Sequence, residues 1–454
     1  MGKKIDNYTF LTQAPVHRVI ITMAIPTIIG MLVSGLYNLA DTFFVGKIDT
    51  QATAAVGIVF SLMFFIQAMG FFFGHGSGNY ISRELGARQR ENAVKMASTG
   101  FFSSFLLGLV ILFLGELFLT PLSLMLGSTP TILPYTEAYM QVLLLGAPFL
   151  TSSLTLSNQM RLQGNAKSSM YGVIVGAFLN FLLDPLFIFT FDMGVRGAAC
   201  ATVIGQIVSF IILLFVSRKG ENIAIHFRDF LPSIEMYKEI FYGGSPSLMR
   251  QGLACVATMS LNLAAGAYGD SAIAAMSIVG RIAMLSFAVV IGLGLGFQPV
   301  CGFCYGAGLY DRLKKAYNFT VVVGTIFLIV LAVVGWMISG SLIAVFRNDP
   351  EVIAIGVVAL RWQLGVFPVS ALVLVSNMLA QTCRKPWRAN ILAAARQGLF
   401  FIPLIFILPS CYGLLGVEMC QAVSDLLSFM LTIPIVVYTF REFTREAAAN
   451  KTTV

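Results

Sequence analysis

The chain has 454 residues, of which 57% are hydrophobic and only 11% charged. Soluble globular proteins carry about 25% charged residues, so these few charges cannot solvate the surface, and the same composition excludes a disordered chain. The balance of 29 Lys+Arg against 21 Asp+Glu leaves +8, but the basic residues sit at the ends of apolar segments rather than on one patch, which speaks against a nucleic-acid footprint.

The solvent for such a chain is lipid. A membrane-spanning helix needs about 20 apolar residues, and spans are read where charges stop. Asp41 is the one charge between Arg18 and Lys47, and no charge falls between Asp49 and Arg83. Continued along the chain, this predicts helices near 17–45, 52–79, 94–116, 133–158, 168–190, 196–217, 237–262, 272–299, 315–339, 352–380, 387–408 and 415–439. The first is too long for a signal-peptide core, and no small-residue cleavage site follows it. Most Lys and Arg fall on one set of connections and on both termini, for example Arg83, Arg88, Arg90, Arg218, Lys219 and Arg384. The positive-inside rule puts that side in the cytoplasm. The expected location is a cytoplasmic membrane, with both termini inside.

Slid on itself by 220 residues, the sequence repeats. Pro26 meets Pro246, Gly74 and Gly76 meet Gly294 and Gly296, Gly86-Ala87 meet Gly306-Ala307, and Pro148 meets Pro368. Glycine and proline are the residues whose backbone geometry is hardest to replace. Beyond about residue 190 the shift becomes 219, with Gly194 on Gly413 and Gly197 on Gly416. The expected fold class is an all-α polytopic membrane protein of twelve helices in two pseudo-symmetric six-helix bundles. The divisions are an amino lobe over 1–217, a cytoplasmic linker over 218–238 and a carboxy lobe over 239–454. Because six is even, both halves share one orientation. That is a transporter plan with its site between the halves.

Breaks in the repeat point to chemistry. Asp41 aligns with Leu261 and Asp184 with Leu404. An intramembrane carboxylate is expensive and is a functional candidate by default. At 1.5 Å per residue, Asp41 lies roughly 33 Å and Asp184 roughly 24 Å along their helices, both in the outer half. Asn180 precedes Asp184, and Tyr37 precedes Asp41, by four residues, on one helix face. With Thr202 these five make a candidate ion-coupling cluster. Two carboxylates together raise one pKa and favour proton uptake; the same oxygens of Asp41, Asn180, Asp184 and Thr202 are hard ligands for Na⁺. Pro185 and Pro26 each remove a backbone hydrogen bond and are candidate hinges. Asn158, Met160 and Gln206 are candidates for lining a substrate cavity. The carboxy half carries Arg250, Arg281, Arg396 and Asp425, read as a structural charge site with Asp425 paired to Arg281 or Arg396, or as a second coupling site.

The 38 Phe and 20 Met suit soft walls for amphipathic molecules. The C-G-F-C of Cys301 and Cys304 is read as small apolar packing rather than redox chemistry. No H-E-x-x-H and no G-K-[ST] occurs, so neither a zinc enzyme nor ATP hydrolysis is expected. His75 is read as a polar packing residue.

The stretches A-I-P-T-I-I-G-M-L (24–32), N-L-A-D-T-F-F-V-G (38–46), G-N-Y-I-S-R-E-L-G-A (78–87), N-F-L-L-D-P-L-F-I-F (180–189) and G-V-R-G-A-A-C-A-T (194–202) make the chain resemble the MATE (multidrug and toxic compound extrusion) superfamily, in its MepA-like and DinF-like branches. The resemblance implies a twelve-helix efflux antiporter working by alternating access. It implies that the positions Asp41, Asn180, Asp184 and Thr202, with Tyr37 nearby, couple export to H⁺, with Na⁺ argued for the same cluster. NorM-type relatives place coupling carboxylates on helices 7 and 10 instead. Here those helices offer Cys255, Thr258, Ser376 and Asn377 and no acid, a departure from that site.

The expected function is a non-enzymatic, H⁺- or Na⁺-coupled exporter of amphipathic, often cationic, drugs and toxins. It is expected to act as a monomer in the bilayer, without cofactor, nucleic acid or ATPase subunit. A lipid or polysaccharide-intermediate flippase is the alternative within the fold class, and a non-transporting sensor or scaffold the alternative outside it.

Overall fold

The computed structural model describes residues 6–45, 47–48 and 50–452, with the backbone alone described at 37–43, 45, 50 and 449–452. Among these, every regular element is a helix. The amino half runs α1 (Asn7–Gln13), α2 (Val16–Val45), α3 (Thr50–Gly86), α4 (Arg90–Leu117), α5 (Leu119–Met125), α6 (Leu133–Leu145), α7 (Ala147–Leu162), α8 (Ala166–Pro185) and α9 (Gly194–Ser217). The carboxy half runs α10 (Ile234–Gly266), α11 (Asp270–Gly306), α12 (Tyr310–Met337), α13 (Ser339–Phe346), α14 (Pro350–Thr382), α15 (Pro386–Ala394), α16 (Phe401–Tyr412) and α17 (Leu414–Thr452). Helices dominate because hydrocarbon offers backbone N–H and C=O groups no partner, so each segment must satisfy its own.

Ten helices are long and apolar enough to cross a bilayer, and α6 with α7, bent by 48°, make an eleventh. The twelfth is α10, whose 33 residues reach across although Glu235, Lys238, Glu239 and Arg250 make it less apolar. The chain is therefore an all-helical, twelve-span membrane protein. Its rim confirms the solvent. On α12, Val322, Ile326, Val330 and Val333 are all more than half exposed and follow one another at helical spacing, a face that only lipid tolerates.

The packing carries the periodicity seen in the sequence. α2 lies on α11, and α10 lies on α3, so the first long helix of each half packs on the second of the other. Residues with positive φ recur at the same shift: Arg88 (62°) with Gly308 (69°), Gly164 (91°) with Arg384 (56°), and Gly194 (55°) with Gly413 (61°). Close backbone approach sets the glycines between halves. A Cβ on Gly76 would lie 2.3 Å from the Ile240 carbonyl oxygen, and one on Gly296 2.6 Å from the Ala24 Cα.

The halves also share an apolar core, where Val19, Ile20 and Met23 pack with Phe297, Val300 and Phe303. It lies on the side that carries both termini. The connection after α9 is not free there. Ile223 and Ile225 are buried, and Ile223 N donates to Gln163 Oε1 at 2.7 Å. After a single 3-10 turn over Phe227–Asp229, α-helical structure resumes at Ile234.

Candidate functional site

The amino-half site is built by α8 and α9. These helices meet through Gly176 and Gly205, where a Cβ on Gly205 would stand 2.8 Å from the Gly176 carbonyl oxygen. One turn further along, Asn180 Nδ2 donates to Thr202 Oγ1 at 3.1 Å. Asp184, the next turn of α8, is wholly buried, and Asn180 and Thr202 are 2% and 3% exposed. Three of the five predicted cluster residues are thus on one buried α8–α9 face. The side chains of the other two, Tyr37 and Asp41, lie outside the described residues. The carboxy-terminal end of α2 is held beside α8 by Phe44 against Phe181, ring centroids 5.7 Å apart.

Pro185 ends the α-helical ladder of α8, and residues 186–190 continue as a π-turn. The break follows from chemistry, since proline supplies no N–H and crowds the preceding turn, and π-turns collect at functional sites. Pro26 behaves differently. α2 runs unbroken through it, and Thr27 Oγ1 instead reaches across to the Gly292 carbonyl of α11 at 2.6 Å.

In the carboxy half, Arg396 and Asp425 pair. Arg396, in a π-turn over 395–399, donates from Nε to Asp425 Oδ1 at 2.7 Å and from Nη2 to Oδ2 at 3.3 Å. Gln421 Nε2 adds a bond to Asp425 at 2.8 Å, and the guanidinium sits 4.1 Å from the Phe287 ring centroid. Asp425 therefore pairs with Arg396, not Arg281, which is exposed on α11. Arg250 donates to Asn377 Oδ1 at 2.8 Å.

The three residues proposed to line a cavity do not converge. Met160 is 1% exposed and packs in a core with Ile81 and Met96. There its unbranched chain fills space between helices. Asn158 spends its amide on the Leu154 carbonyl and on Arg161. Gln206 Oε1 is buried where a Cβ on Gly146 would come within 2.0 Å of it. Cys301 faces Cys383, with sulfurs 3.5 Å apart, rather than Cys304.

Sequence reasoning missed a charged cluster between the halves. Glu239 receives Arg83 at 2.8 Å and Arg384 at 2.5 Å. Arg83 also donates to the Thr382 carbonyl at 2.9 Å. These residues line a cavity of about 620 Å³ with Tyr80 and Tyr305 on the termini side. From the sequence, Arg83 and Arg384 read only as connection charges, because nothing along the chain joins positions 83, 239 and 384. Arg161, at the end of α7, is buried as well, at 3% exposed.

A twelve-span bundle of two like halves, each laying a helix on the other and one holding a buried carboxylate site, defines a membrane transporter. The chain belongs to the MatE family: the family model matches residues 26–186 and again 246–407. The multidrug export protein MepA of Staphylococcus haemolyticus (strain JCSC1435) is 27% identical over 442 residues, 96% of this chain and 97% of the relative. MepA of Staphylococcus aureus (strain NCTC 8325 / PS 47) is 26% identical over 443 residues, 97% of each. Among solved structures, an outward-facing multidrug resistance MATE family transporter of the MOP superfamily superposes with a TM-score of 0.92 at 25% identity, covering 98% of this chain and 100% of that one. A MOP superfamily transporter from Pyrococcus furiosus, described as having a binding pocket of reverse polarity that suggests a different function, gives 0.90 at 25% identity with the same coverage.

Proposed function

We propose that the protein exports amphipathic small molecules, drugs and toxins among them, by ion-coupled alternating access between an amino lobe (1–217) and a carboxy lobe (239–454). The observation that carries this reading is the wholly buried Asp184, one turn from the Asn180–Thr202 hydrogen bond and beside the Pro185 break. A carboxylate at that depth is costly when charged. Neutralising it, by a proton or by Na⁺ held with Asn180 and Thr202, changes how α8 packs against α2 and α9. H⁺ is the favoured ion, since a buried carboxyl readily takes up a proton. The export of drugs is supported by the multidrug export proteins to which the chain is similar.

In this reading the termini side is cytoplasmic, by the positive-inside rule. The contacts that join the lobes there close the inner end, and ions enter from outside to displace drug outward. The protein is proposed to work as a monomer in a bacterial cytoplasmic membrane.

The test is ethidium efflux from liposomes holding purified protein, with a ΔpH and a Na⁺ gradient imposed separately. Efflux driven by ΔpH and lost in Asp184→Asn is the expected result. Efflux driven by Na⁺ alone would reassign the site to cation binding. An Asp184→Asn protein that pumps at the normal rate would sink the reading.

A further inference from the structure

Where the lobes join, two arginines lie within spans and face only neutral groups. Arg161 donates to the Leu295 carbonyl at 2.6 Å, to Gln298 Oε1 at 3.0 Å and to Asn158 Oδ1 at 2.7 Å. Arg250 donates to Asn377 Oδ1 at 2.8 Å and, more weakly, to Ser247 Oγ at 3.5 Å. Neither forms an ion pair among the described residues. Elsewhere the fold does supply acids to its buried cations, as at Arg83–Glu239 and Arg396–Asp425.

Between these arginines stands His75, 2% exposed, within the field of both charges. Ser247 Oγ lies 2.9 Å from Gln381 Nε2, which donates to it, and 3.0 Å from His75 Nδ1. His75 Nε2, on the other side of the ring, is buried and has no partner among the described residues. Gln298 Nε2, beside Arg161, is a buried donor with no acceptor. Two cations with no acid beside them lack one thing, an anion.

The repeat shows that the fold does not need these charges. By the shift of 220, Arg161 corresponds to Gln381, Arg250 to Gly30 and His75 to Leu295. A cation in a membrane protein costs several kcal/mol where no acid meets it and is a functional candidate by default.

We propose that Arg250, Arg161 and His75 form a receptor for the carboxylate of an amphipathic substrate. This rests on the export reading above and deepens it. The flat, forked guanidinium matches a carboxylate with two parallel hydrogen bonds. Arg250 is the half-buried member, so an arriving carboxylate meets it first, and His75, in the tautomer with its hydrogen on Nε2, completes the cradle as the lobes part. A substrate with a cationic end and a carboxylate then spans the molecule, its cation toward the Asp184 half and its anion toward Arg250.

The experiment uses the full-length protein in nanodiscs and two dyes that differ by one methyl group. Rhodamine 110 has a free carboxylate, and rhodamine 123 is its methyl ester. Dissociation constants are read by fluorescence anisotropy for wild type, Arg250→Gln, Arg250→Lys and His75→Phe. Wild type is expected to favour the free acid. Arg250→Gln is expected to move the ratio of the two constants about tenfold against the acid, the worth of one lost charge-assisted bond; Arg250→Lys restores part of it, and His75→Phe moves it the same way by less. Equal binding of the two dyes by wild type, or an unchanged ratio in Arg250→Gln, would overturn the carboxylate receptor alone. Binding of neither dye by a well-folded wild-type protein would remove the export reading with it.

Discussion

Arg396 and Asp425 show how a single charge survives inside a bilayer. The carboxylate is 2% exposed and accepts from both Arg396 and Gln421, while an aromatic face covers the guanidinium. Removing one partner strands the other, which costs about 3–5 kcal/mol, whereas replacing both by apolar groups is often neutral. Asp425→Asn is therefore expected to lower the thermal stability of the purified protein sharply, and Asp425→Leu with Arg396→Leu to recover most of it. Asn180 poses the same question with neutral groups. Thr202→Val removes the acceptor of its amide and should cost about 1–3 kcal/mol, while Thr202→Ser should remain close to wild type in the same melt. The sequence put Asn180 and Thr202 in one cluster from helix depth and four-residue spacing, and the two side chains are hydrogen-bonded. It left Asp425 with two arginines to choose from. That choice depends on which face α17 turns to the π-turn at 395–399, a packing fact that no spacing encodes.

At the scale of elements, the span pattern was legible because lipid imposes one length on every crossing. All twelve predicted segments have a helix, including the broken ones at α6–α7 and α15–α16. The breaks were less legible. Two prolines with the same sequence signature behave differently: α2 passes through Pro26, while α8 ends at Pro185 in a π-turn. α2 is held on both sides of Pro26 by α11, through the Thr27–Gly292 bond and the contact of Ala24 with Gly296. α8 past Pro185 is instead met by α9, where a Cβ on Gly197 would stand 2.7 Å from the Phe187 carbonyl oxygen of the π-turn. Pro185→Ala is expected to let α8 extend as regular helix. Efflux turnover should then fall while drug affinity in the nanodisc assay holds, as expected when a moving joint rather than a binding contact is lost.

At the scale of the whole molecule, Glu239 is the tie between lobes. It gathers Arg83 from α3 and Arg384 from the turn after α14. Arg384 holds a left-handed backbone at φ 56°, a position its twin Gly164 fills without cost. A charged residue there is explained by the ion pair it makes. Glu239→Ala is expected to loosen the termini side. Cys383, wholly buried beside this cluster, should then react with N-ethylmaleimide about tenfold faster, equal to about 1.4 kcal/mol of local opening. Unchanged labelling, measured by mass spectrometry of the Cys383 peptide, would show that the apolar core of Val19, Met23 and Phe297 holds the lobes without it.

By itself the sequence determined the solvent, the twelve crossings, the 220-residue repeat and the asymmetric carboxylates. Each of these is carried by composition, by length or by comparison of the chain with itself. Only the tertiary structure decided which charges meet. Arg83, Glu239 and Arg384, or His75, Ser247 and Arg250, are brought together by helices packing across the repeat, and the energy of a buried charge is set by what stands within a few ångströms of it, wherever that neighbour lies in the chain.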